Sequence, residues 1–225
     1  MILLHGALGA AEQLAALSSH VPSGTAHTFD FVGHGALAPP GEPLTIPRLA
    51  AQLEEFVQAH GLHGSPCFGY SMGGYVALLV ASRRPGLLGP ITTFATRFDW
   101  TPESAAKETM QLDPDTIRRK VPKFAALLEA RHGKDGWAAL CVATAALMQD
   151  LGAHPLLDKN ALGRVAGPVK VMVGDRDPVV SIEETVAVYR ALAQGQLMVL
   201  PGVGHPLERA PIDVLARELL VPAGA

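Results

Sequence analysis

The sequence is poor in cysteine: its 225 residues include only Cys67 and Cys141. The two match no metal-ligand spacing and both lie in apolar patterns, so we expect free, buried thiols and no metal site. Long apolar runs are also lacking, which argues against a membrane-spanning helix. The first residues show no charged stretch ahead of an apolar one, as a signal peptide would have. These absences predict a soluble, cytoplasmic protein that needs no membrane.

An excess of charge of one sign is lacking too. The chain has 18 Lys and Arg against 21 Asp and Glu, a formal net charge of −3. This balance leaves no basic surface for nucleic acid or another polyanion. The sequence has no internal repeat and no low-complexity segment. A chain of this length is therefore expected to form one α/β domain, or one domain with an insertion.

What the sequence does contain is a Gly-x-Ser-x-Gly motif at residues 69–73, with Ser71 at its centre. Apolar residues precede the motif and a helical pattern follows it. A strand, a tight turn and a helix in this order form a nucleophile elbow, which exposes the serine hydroxyl at the N-terminus of the helix. The alternative is an ordinary Gly-rich turn whose serine caps the helix. Partner residues elsewhere in the chain must decide between these interpretations.

Short apolar runs alternate with helical patterns along most of the chain, which predicts a parallel sheet with right-handed crossovers. The predicted strands are residues 2–4, 26–31, 66–70, 90–95, 169–173 and 196–200. The alternation stops between residues 101 and 163, where only helical signals occur, with helix starts at Thr101-Pro102 and Asp113-Pro114. We therefore expect an α/β core, residues 1–100 and 164–225, and a helical insertion of about three helices at residues 101–163.

Residues that can act in catalysis follow several predicted strands. Ser71 follows the third strand, Asp175 and Asp177 follow the fifth, and His205 follows the sixth. Parallel strands present their carboxyl ends at one edge of the sheet, where ligands bind. A serine becomes a nucleophile when an imidazole takes its proton and a buried carboxylate orients that imidazole. These residues are therefore expected to meet in one site.

The other histidines receive no catalytic role. His132 and His154 also follow Ser71, but they lie among helical patterns, where a surface or core position is expected. His205 is the favoured base because it lies in a Gly-rich loop directly after a strand. His34 is expected to brace the loop after the second strand by hydrogen bonding.

Five motifs together resemble the α/β-hydrolase fold superfamily, in its lid-bearing serine-esterase branch. They are Leu4-His5-Gly6-Ala7 and the segments at residues 30–35, 69–74, 174–177 and 202–206. They extend over nearly the whole chain in the order that the family has. The resemblance implies an α/β-hydrolase fold whose helical insertion is a lid, and an esterase without a cofactor.

The resemblance also implies roles for individual residues. Ser71 is expected to be the nucleophile, His205 the general base and Asp177 the acid, since the family uses the second carboxylate of Gly-Asp-x-Asp. Some relatives carry the acid after the fourth strand, which leaves Asp99 as an alternative.

The same resemblance places an oxyanion hole beside the nucleophile. Its two donors are expected to be the backbone amides of Met72, the residue after the nucleophile, and of Ala7, the residue after His-Gly. The alternative for His5-Gly6 is a plain turn between a strand and a loop.

Apolar residues in or near the insertion are candidates for the substrate pocket. We expect Trp100, Phe124 and Trp137 to bind the substrate. The wider set of apolar candidates also comprises Met110, Leu127, Leu128, Cys141 and Met148. A small apolar lid leaves few fixed charges near Ser71, and an unpaired buried charge is costly. The expected substrates are therefore small, mainly uncharged esters or thioesters, with short acyl chains or aryl groups.

Two other functions remain open. A lyase like those of menaquinone biosynthesis uses the Ser-His pair as a base and needs a basic pocket. Its candidates, Arg118, Arg119, Lys120 and Lys123, can equally form a solvated face. A ligand receptor on this fold keeps the triad but stalls after one acylation. The sequence does not give the oligomeric state.

The sequence departs from the family at two places. The pair of strands that usually precedes the His-Gly strand is lacking, so we expect a trimmed sheet. The loop after His34-Gly35 continues with Ala36-Leu37-Ala38, where the family usually has a polar residue. Neither departure affects the predicted triad.

Overall fold

A six-stranded parallel sheet forms the centre of the computed structural model, which describes residues 1–37 and 41–220. The strands are β1 (Ile2–Leu4), β2 (His27–Thr28), β3 (Cys67–Tyr70), β4 (Ile91–Phe94), β5 (Val169–Gly174) and β6 (Gly195–Leu200). They lie in the order β2-β1-β3-β4-β5-β6, and each neighbouring pair is parallel. The predicted α/β fold with six parallel strands is confirmed. Ala38, part of the departure noted above, lies outside the described residues.

Helices flank the sheet. They are α1 (Ala15–Ser18), α2 (Ile46–Ala59), α3 (Met72–Arg83), α4 (Pro102–Thr109), α5 (Pro114–Lys120), α6 (Pro122–His132), α7 (Gly136–Ala153), α8 (Lys159–Gly163), α9 (Ile182–Ala191) and α10 (Ile212–Leu220). Within the described ranges, no helix is both long and apolar enough to cross a membrane.

Strands β1, β3, β4 and β5 are buried along their whole length because helices cover both faces of the sheet, whereas the edge strands β2 and β6 are largely half-buried. In β1, Ile2 and Leu4 pack in one core cluster with residues of α2 and α3. Leu3, whose side chain points to the opposite face, packs in a second cluster with residues of α1 and α10. Lys170 in β5 is the one charged residue of the four buried strands. Its ammonium lies 2.7 Å from the Glu218 carboxylate of α10, so the buried charge is paired.

The second strand is shorter than predicted. Residues 26–31 were expected to be extended, but only His27 and Thr28 pair with β1. Side chains bind the backbone beyond them: Gln52 Nε2 donates to the carbonyl of Asp30 at 3.1 Å, and the amide of Phe31 donates to His5 Nε2 at 3.1 Å. These bonds satisfy the backbone at the sheet edge without a longer ladder.

The helical insertion contains five helices, α4–α8, where about three were predicted. Thr101 caps α4 through a capping box with Ser104, and the Asp113 side chain caps α5 at the Thr116 amide. Pro122 separates α5 from α6 because proline fits the first turn of a helix and ends a preceding one. The segment between α7 and α8 is held on the core, because Tyr75 Oη of α3 accepts hydrogen bonds from the amides of Leu156 and Leu157.

Candidate active site

Ser71 lies on a strained turn between β3 and α3. Its backbone has φ 51° and ψ −117°, a conformation that side-chain-bearing residues rarely adopt. The turn is possible because strand and helix touch directly. A Cβ added at Gly69 would lie 2.4 Å from the backbone of Gly74. Ser71 therefore projects from the carboxyl end of the central strand, as the motif predicts.

Ser71, His205 and Asp177 form a chain of hydrogen-bonding contacts. Ser71 Oγ lies 3.4 Å from His205 Nε2, and His205 Nδ1 lies 2.9 Å from Asp177 Oδ2. Since the carboxylate accepts, Nδ1 carries the proton and donates it, which leaves the Nε2 lone pair facing the serine. The structure thus brings together the three residues that were predicted to form a triad.

Backbone groups hold the acid and the base in place. The Asp177 side chain has no exposed surface, and its Oδ1 accepts from the amides of Val179 and Val180 at 2.8 and 2.9 Å. Oδ2 then remains available to His205. The carbonyl of His205 accepts a hydrogen bond from Tyr70 Oη at 3.1 Å, which connects its loop to the end of β3.

The other two candidate acids lie elsewhere. Asp175 Oδ1 accepts a hydrogen bond from the Gly202 amide at 2.6 Å, which closes the loop that carries His205. Asp99 is exposed and lines a surface groove with Glu184, away from Ser71. The geometry therefore favours Asp177 over both.

The predicted oxyanion-hole residues, Ala7 and Met72, both border a small cavity at Ser71. Met72 is the first residue of α3, so its amide has no acceptor within the helix. The loop that carries Ala7 approaches the nucleophile closely, because a Cβ at Gly6 would lie 3.1 Å from the Ser71 Cβ. The arrangement is suited to hold a negatively charged oxygen beside Ser71.

The helical insertion holds this loop through two consecutive side chains of α6. Arg131 Nη1 and His132 Nε2 both donate to the carbonyl of Leu8, at 3.1 and 2.9 Å. His132 Nδ1 accepts from the amide of Gly35 at 3.0 Å. Leu8 has a positive φ of 56°, and its loop is closed by a 3.0 Å bond between the Gly9 amide and the Gly6 carbonyl. His132, expected at the surface or in the core, bridges two loops of the site.

His132 is one of three buried histidines that touch one another. The His5 and His34 rings lie 5.0 Å apart, and His34 and His132 are 5.9 Å apart. Burial lowers the pKa of His5 to about 4 and that of His34 to about 3, because desolvation disfavours the imidazolium. His34 Nδ1 donates to the carbonyl of Val32 at 3.2 Å, the bracing role that was expected of it.

Two cavities meet at Ser71, of about 600 Å³ and about 40 Å³. Trp100 lines both, and Phe124 lines the larger one.

Trp137, which was predicted to bind the substrate, does not reach either cavity. It is buried to 2% exposure with the Arg118 guanidinium 4.7 Å above its ring, because the face of α7 that carries it packs inside the insertion. Of the wider apolar set, Leu127 and Met148 line the larger cavity.

The larger cavity carries more charge than the sequence suggested. Arg97 lies 3.2 Å from Glu108, and Arg131 lies 3.6 Å from Glu208. All four residues line the cavity. Sequence reasoning missed these ion pairs, although Arg97 follows the fourth strand at the same sheet edge as Ser71. The basic residues at 118–123 do not line either cavity.

No cluster of three metal-binding side chains occurs in the part of the chain that the structure describes. The three groups at Ser71 are a hydroxyl, an imidazole and a carboxylate. They can together transfer a proton from the serine and form a covalent bond to a carbonyl carbon.

Residues 1–218 match the alpha/beta hydrolase family. Three solved structures share the fold over 97% of this chain. An esterase from Thermogutta terrifontis is 22% identical, with a TM-score of 0.75 over 87% of its chain. An enol-lactonase from Burkholderia xenovorans is 16% identical, with a TM-score of 0.78 over 88% of its chain. An esterase from Exiguobacterium antarcticum is 16% identical, with a TM-score of 0.77 over 89% of its chain.

A shorter match joins this chain to ethanol acetyltransferase 1 from Cyberlindnera fabianii. The two are 30% identical over 91 residues, which is 39% of this chain and 27% of the acetyltransferase. The match covers about a quarter of that protein, so it concerns one segment of it.

Proposed function

Because this chain belongs to the alpha/beta hydrolase family, we propose that it is a serine hydrolase that cleaves small, mainly uncharged carboxylic esters or thioesters. The observation that carries the proposal is the contact chain from Ser71 through His205 to Asp177, with distances of 3.4 and 2.9 Å. A serine on a strained elbow with this partner order fits nucleophilic catalysis better than it fits a helix cap. The Ser71 side chain makes no capping hydrogen bond to α3.

Acylation proceeds from this geometry. Ser71 Oγ attacks the carbonyl carbon of the ester while His205 Nε2 accepts the serine proton. The carbonyl oxygen becomes negatively charged and is stabilised by the amides of Ala7 and Met72. The C–O bond to the alcohol then breaks, and His205 Nε2 returns the proton to the departing oxygen. Asp177 stabilises the imidazolium between these steps.

Deacylation repeats the sequence with water. A water molecule gives a proton to His205 Nε2 and attacks the acyl carbon, and Ser71 leaves with the proton restored. The products are the carboxylic acid and the regenerated enzyme. The amides of Ala7 and Met72 stabilise the second tetrahedral oxyanion as they do the first.

We also propose that the helical insertion serves as a lid over Ser71. Support comes from α6, whose Phe124 and Leu127 line the larger cavity, and from Trp100 just ahead of α4. Four of the five charged residues on the cavity wall form two Arg–Glu pairs, and the fifth, Arg209, is exposed to solvent. This suits an uncharged substrate, because a single buried charge would need a partner of its own.

The proposal is tested by covalent labelling and turnover. A fluorophosphonate probe should label the protein at Ser71, and Ser71→Ala should abolish both labelling and the hydrolysis of p-nitrophenyl acetate. Ser82→Ala is the matched control, since Ser82 is a buried serine of the same helix that bonds only the Leu79 carbonyl. Labelling that persists in Ser71→Ala contradicts the assignment. A burst of one acylation without further turnover would indicate a receptor instead.

A further inference from the structure

We propose that the two cavities at Ser71 divide the substrate between them: the smaller cavity takes the acyl chain and the larger one takes the alcohol. The preferred substrates are then acetate- to butyrate-sized esters of bulky alcohols. This inference rests on the proposed function and names the substrate class of the same site.

The orientation follows from where the two kinds of catalytic group lie. His205, which must protonate the departing oxygen, lines the larger cavity and not the smaller one. Of the two proposed oxyanion donors, Ala7 lines both cavities, whereas Met72 lines the smaller cavity and not the larger one. An ester whose carbonyl carbon sits at Ser71 therefore directs its alcohol oxygen toward the larger cavity. The acyl chain, on the other side of the carbonyl carbon, enters the smaller cavity.

The smaller cavity limits the length of the acyl chain. Its volume is about 40 Å³, and a single water needs about 10–15 Å³ of such space. It can therefore hold roughly three non-hydrogen atoms beyond the carbonyl carbon, as in a butyryl group.

Apart from Arg97, the side chains that line the smaller cavity are mostly apolar, and most belong to the packed interior. Ile46, Tyr75, Leu147 and Leu151 are each no more than 4% exposed. Tyr75 is also fixed by the two backbone amides that bond to its hydroxyl. Because interiors are close-packed, the cavity cannot enlarge without displacing neighbours. The Arg97 guanidinium at its wall is already paired with Glu108, so a charged acyl group would lose its hydration there without gaining a free partner.

The larger cavity has the opposite character. At about 600 Å³ it exceeds the smaller cavity about fifteenfold, and it is partly polar. The Arg97–Glu108 pair and the Arg131–Glu208 pair provide donors and acceptors without a large net charge. An alcohol of considerable size, with hydroxyl or amide groups, fits such a wall.

Two isomeric esters test the division. Hexyl acetate and ethyl hexanoate have the same composition. The first has a long alcohol and a short acyl group, and the second has a short alcohol and a long acyl group. The wild-type protein should hydrolyse hexyl acetate with a kcat/KM at least about tenfold higher, since misfitting methylenes each cost about tenfold or more in a closed pocket. Each reaction adds one water and releases one acid and one alcohol.

Variants assign the effect to the cavity. Leu147→Ala should raise kcat/KM for ethyl hexanoate several-fold relative to that for hexyl acetate, because Leu147 lines the smaller cavity and not the larger one. Leu151→Ala provides a second enlargement in case the first variant is unstable. Leu127→Ala, a leucine truncation in the larger cavity, is the matched control and should not improve ethyl hexanoate.

The outcomes are distinct. Equal rates for the two esters, or a preference for ethyl hexanoate, overturn the division while Ser71 labelling upholds the hydrolase. An improvement for ethyl hexanoate in Leu127→Ala but in neither Leu147→Ala nor Leu151→Ala also overturns it. No hydrolysis of either ester, together with no labelling of Ser71, overturns both the inference and the proposed function.

Discussion

The sheet edge and the helical insertion contribute to the candidate site in different ways. Ser71, Asp177 and His205 follow strands and are fixed by backbone hydrogen bonds, and the Asp177 carboxylate is fully buried. Phe124 and Leu127 of α6 line the cavity with 38% and 44% of their surfaces exposed. Under the proposed function, the core would hold the reacting groups while the insertion would shape the space that a substrate enters. Substitutions in the core should therefore lower kcat, and those of insertion residues that line the cavity should mainly change KM.

The largest effect is expected at the acid. Asp177→Asn should lower kcat on the order of 10⁴-fold, because the amide cannot hold His205 in the tautomer that accepts the Ser71 proton. Steady-state kinetics with p-nitrophenyl acetate measures the loss. Asp175→Asn and Asp99→Asn are the controls and should be much milder. A silent Asp177→Asn beside a damaging Asp99→Asn would place the acid after β4.

A smaller effect is expected where the two regions meet. His132→Phe removes the His132 bonds to the Leu8 carbonyl and the Gly35 amide, so the loop that carries Ala7 keeps only the Arg131 bond from α6. We expect kcat per titrated active site to fall about 10- to 100-fold with little change in KM, a partial loss of one oxyanion donor.

The control for this position is His132→Gln, which retains a donor and an acceptor and should keep most of the activity. Active-site titration with a fluorophosphonate separates a change in rate from a loss of folded protein. If His132→Phe lowers the melting temperature but leaves kcat per titrated site unchanged, the residue is structural and the insertion does not support the oxyanion hole.

A weaker effect is expected within the insertion itself. Phe124→Ala removes an aromatic wall of the larger cavity. KM for hexyl acetate should rise a few-fold with kcat nearly constant, since the ring contacts the ground state and the transition state alike. Trp137→Phe, at a ring that does not reach the cavity, should leave both constants unchanged. A large fall in kcat for Phe124→Ala would break the division between the two regions.

The buried histidines His5 and His34 should make the free energy of unfolding depend on pH in the acid range but not at neutral pH. His5 and His34 have pKa values lowered by burial from 6.5 to about 4 and about 3. Between these values the unfolded chain binds protons that the folded chain does not, so stability is complete above about pH 6.5 and is lost as the pH falls toward 4. The groups that face them are His132, whose pKa burial also lowers, together with Arg131 and Asp30.

Thermal unfolding recorded between pH 7 and pH 4.5 tests this expectation. The melting temperature should fall on acidification, and His34→Phe should show a shallower dependence than the wild-type protein. A melting temperature that stays constant or rises as the pH falls would show that the histidine cluster takes up protons without unfolding.

The sheet could be predicted because its signals are local. Apolar runs followed by Gly-rich loops mark β1, β3, β5 and β6, and the fold built from them is confirmed. The same pattern of an apolar run and a Gly-rich loop predicted that Ser71 lies at a strand end. In the structure, Ser71 lies within hydrogen-bonding distance of His205. The catalytic roles of these residues stay a prediction, since they concern chemistry and not position.

The insertion was harder to predict because its signals depend on tertiary packing. Helix α7 is apolar on most sides, so its pattern gives no unique inward face, and Trp137 was assigned to the wrong surroundings. Arg97 lies in the loop after β4 and Glu108 lies in α4. Whether the two side chains meet depends on how α4 packs against that loop, which the sequence pattern does not give. His132 gave no signal, because a single histidine near a helix end has no spacing to interpret.

The strained backbone of Ser71 has a consequence for laboratory evolution. A non-glycine residue in such a conformation costs about 1–3 kcal/mol, whereas glycine adopts positive φ readily. Replacing Ser71 by glycine would therefore relieve backbone strain and at the same time remove the proposed nucleophile. A selection for thermal stability alone would favour that substitution, and the most stable variants it yields would lack hydrolase activity. Any heat-based improvement of this protein thus requires a parallel screen for turnover.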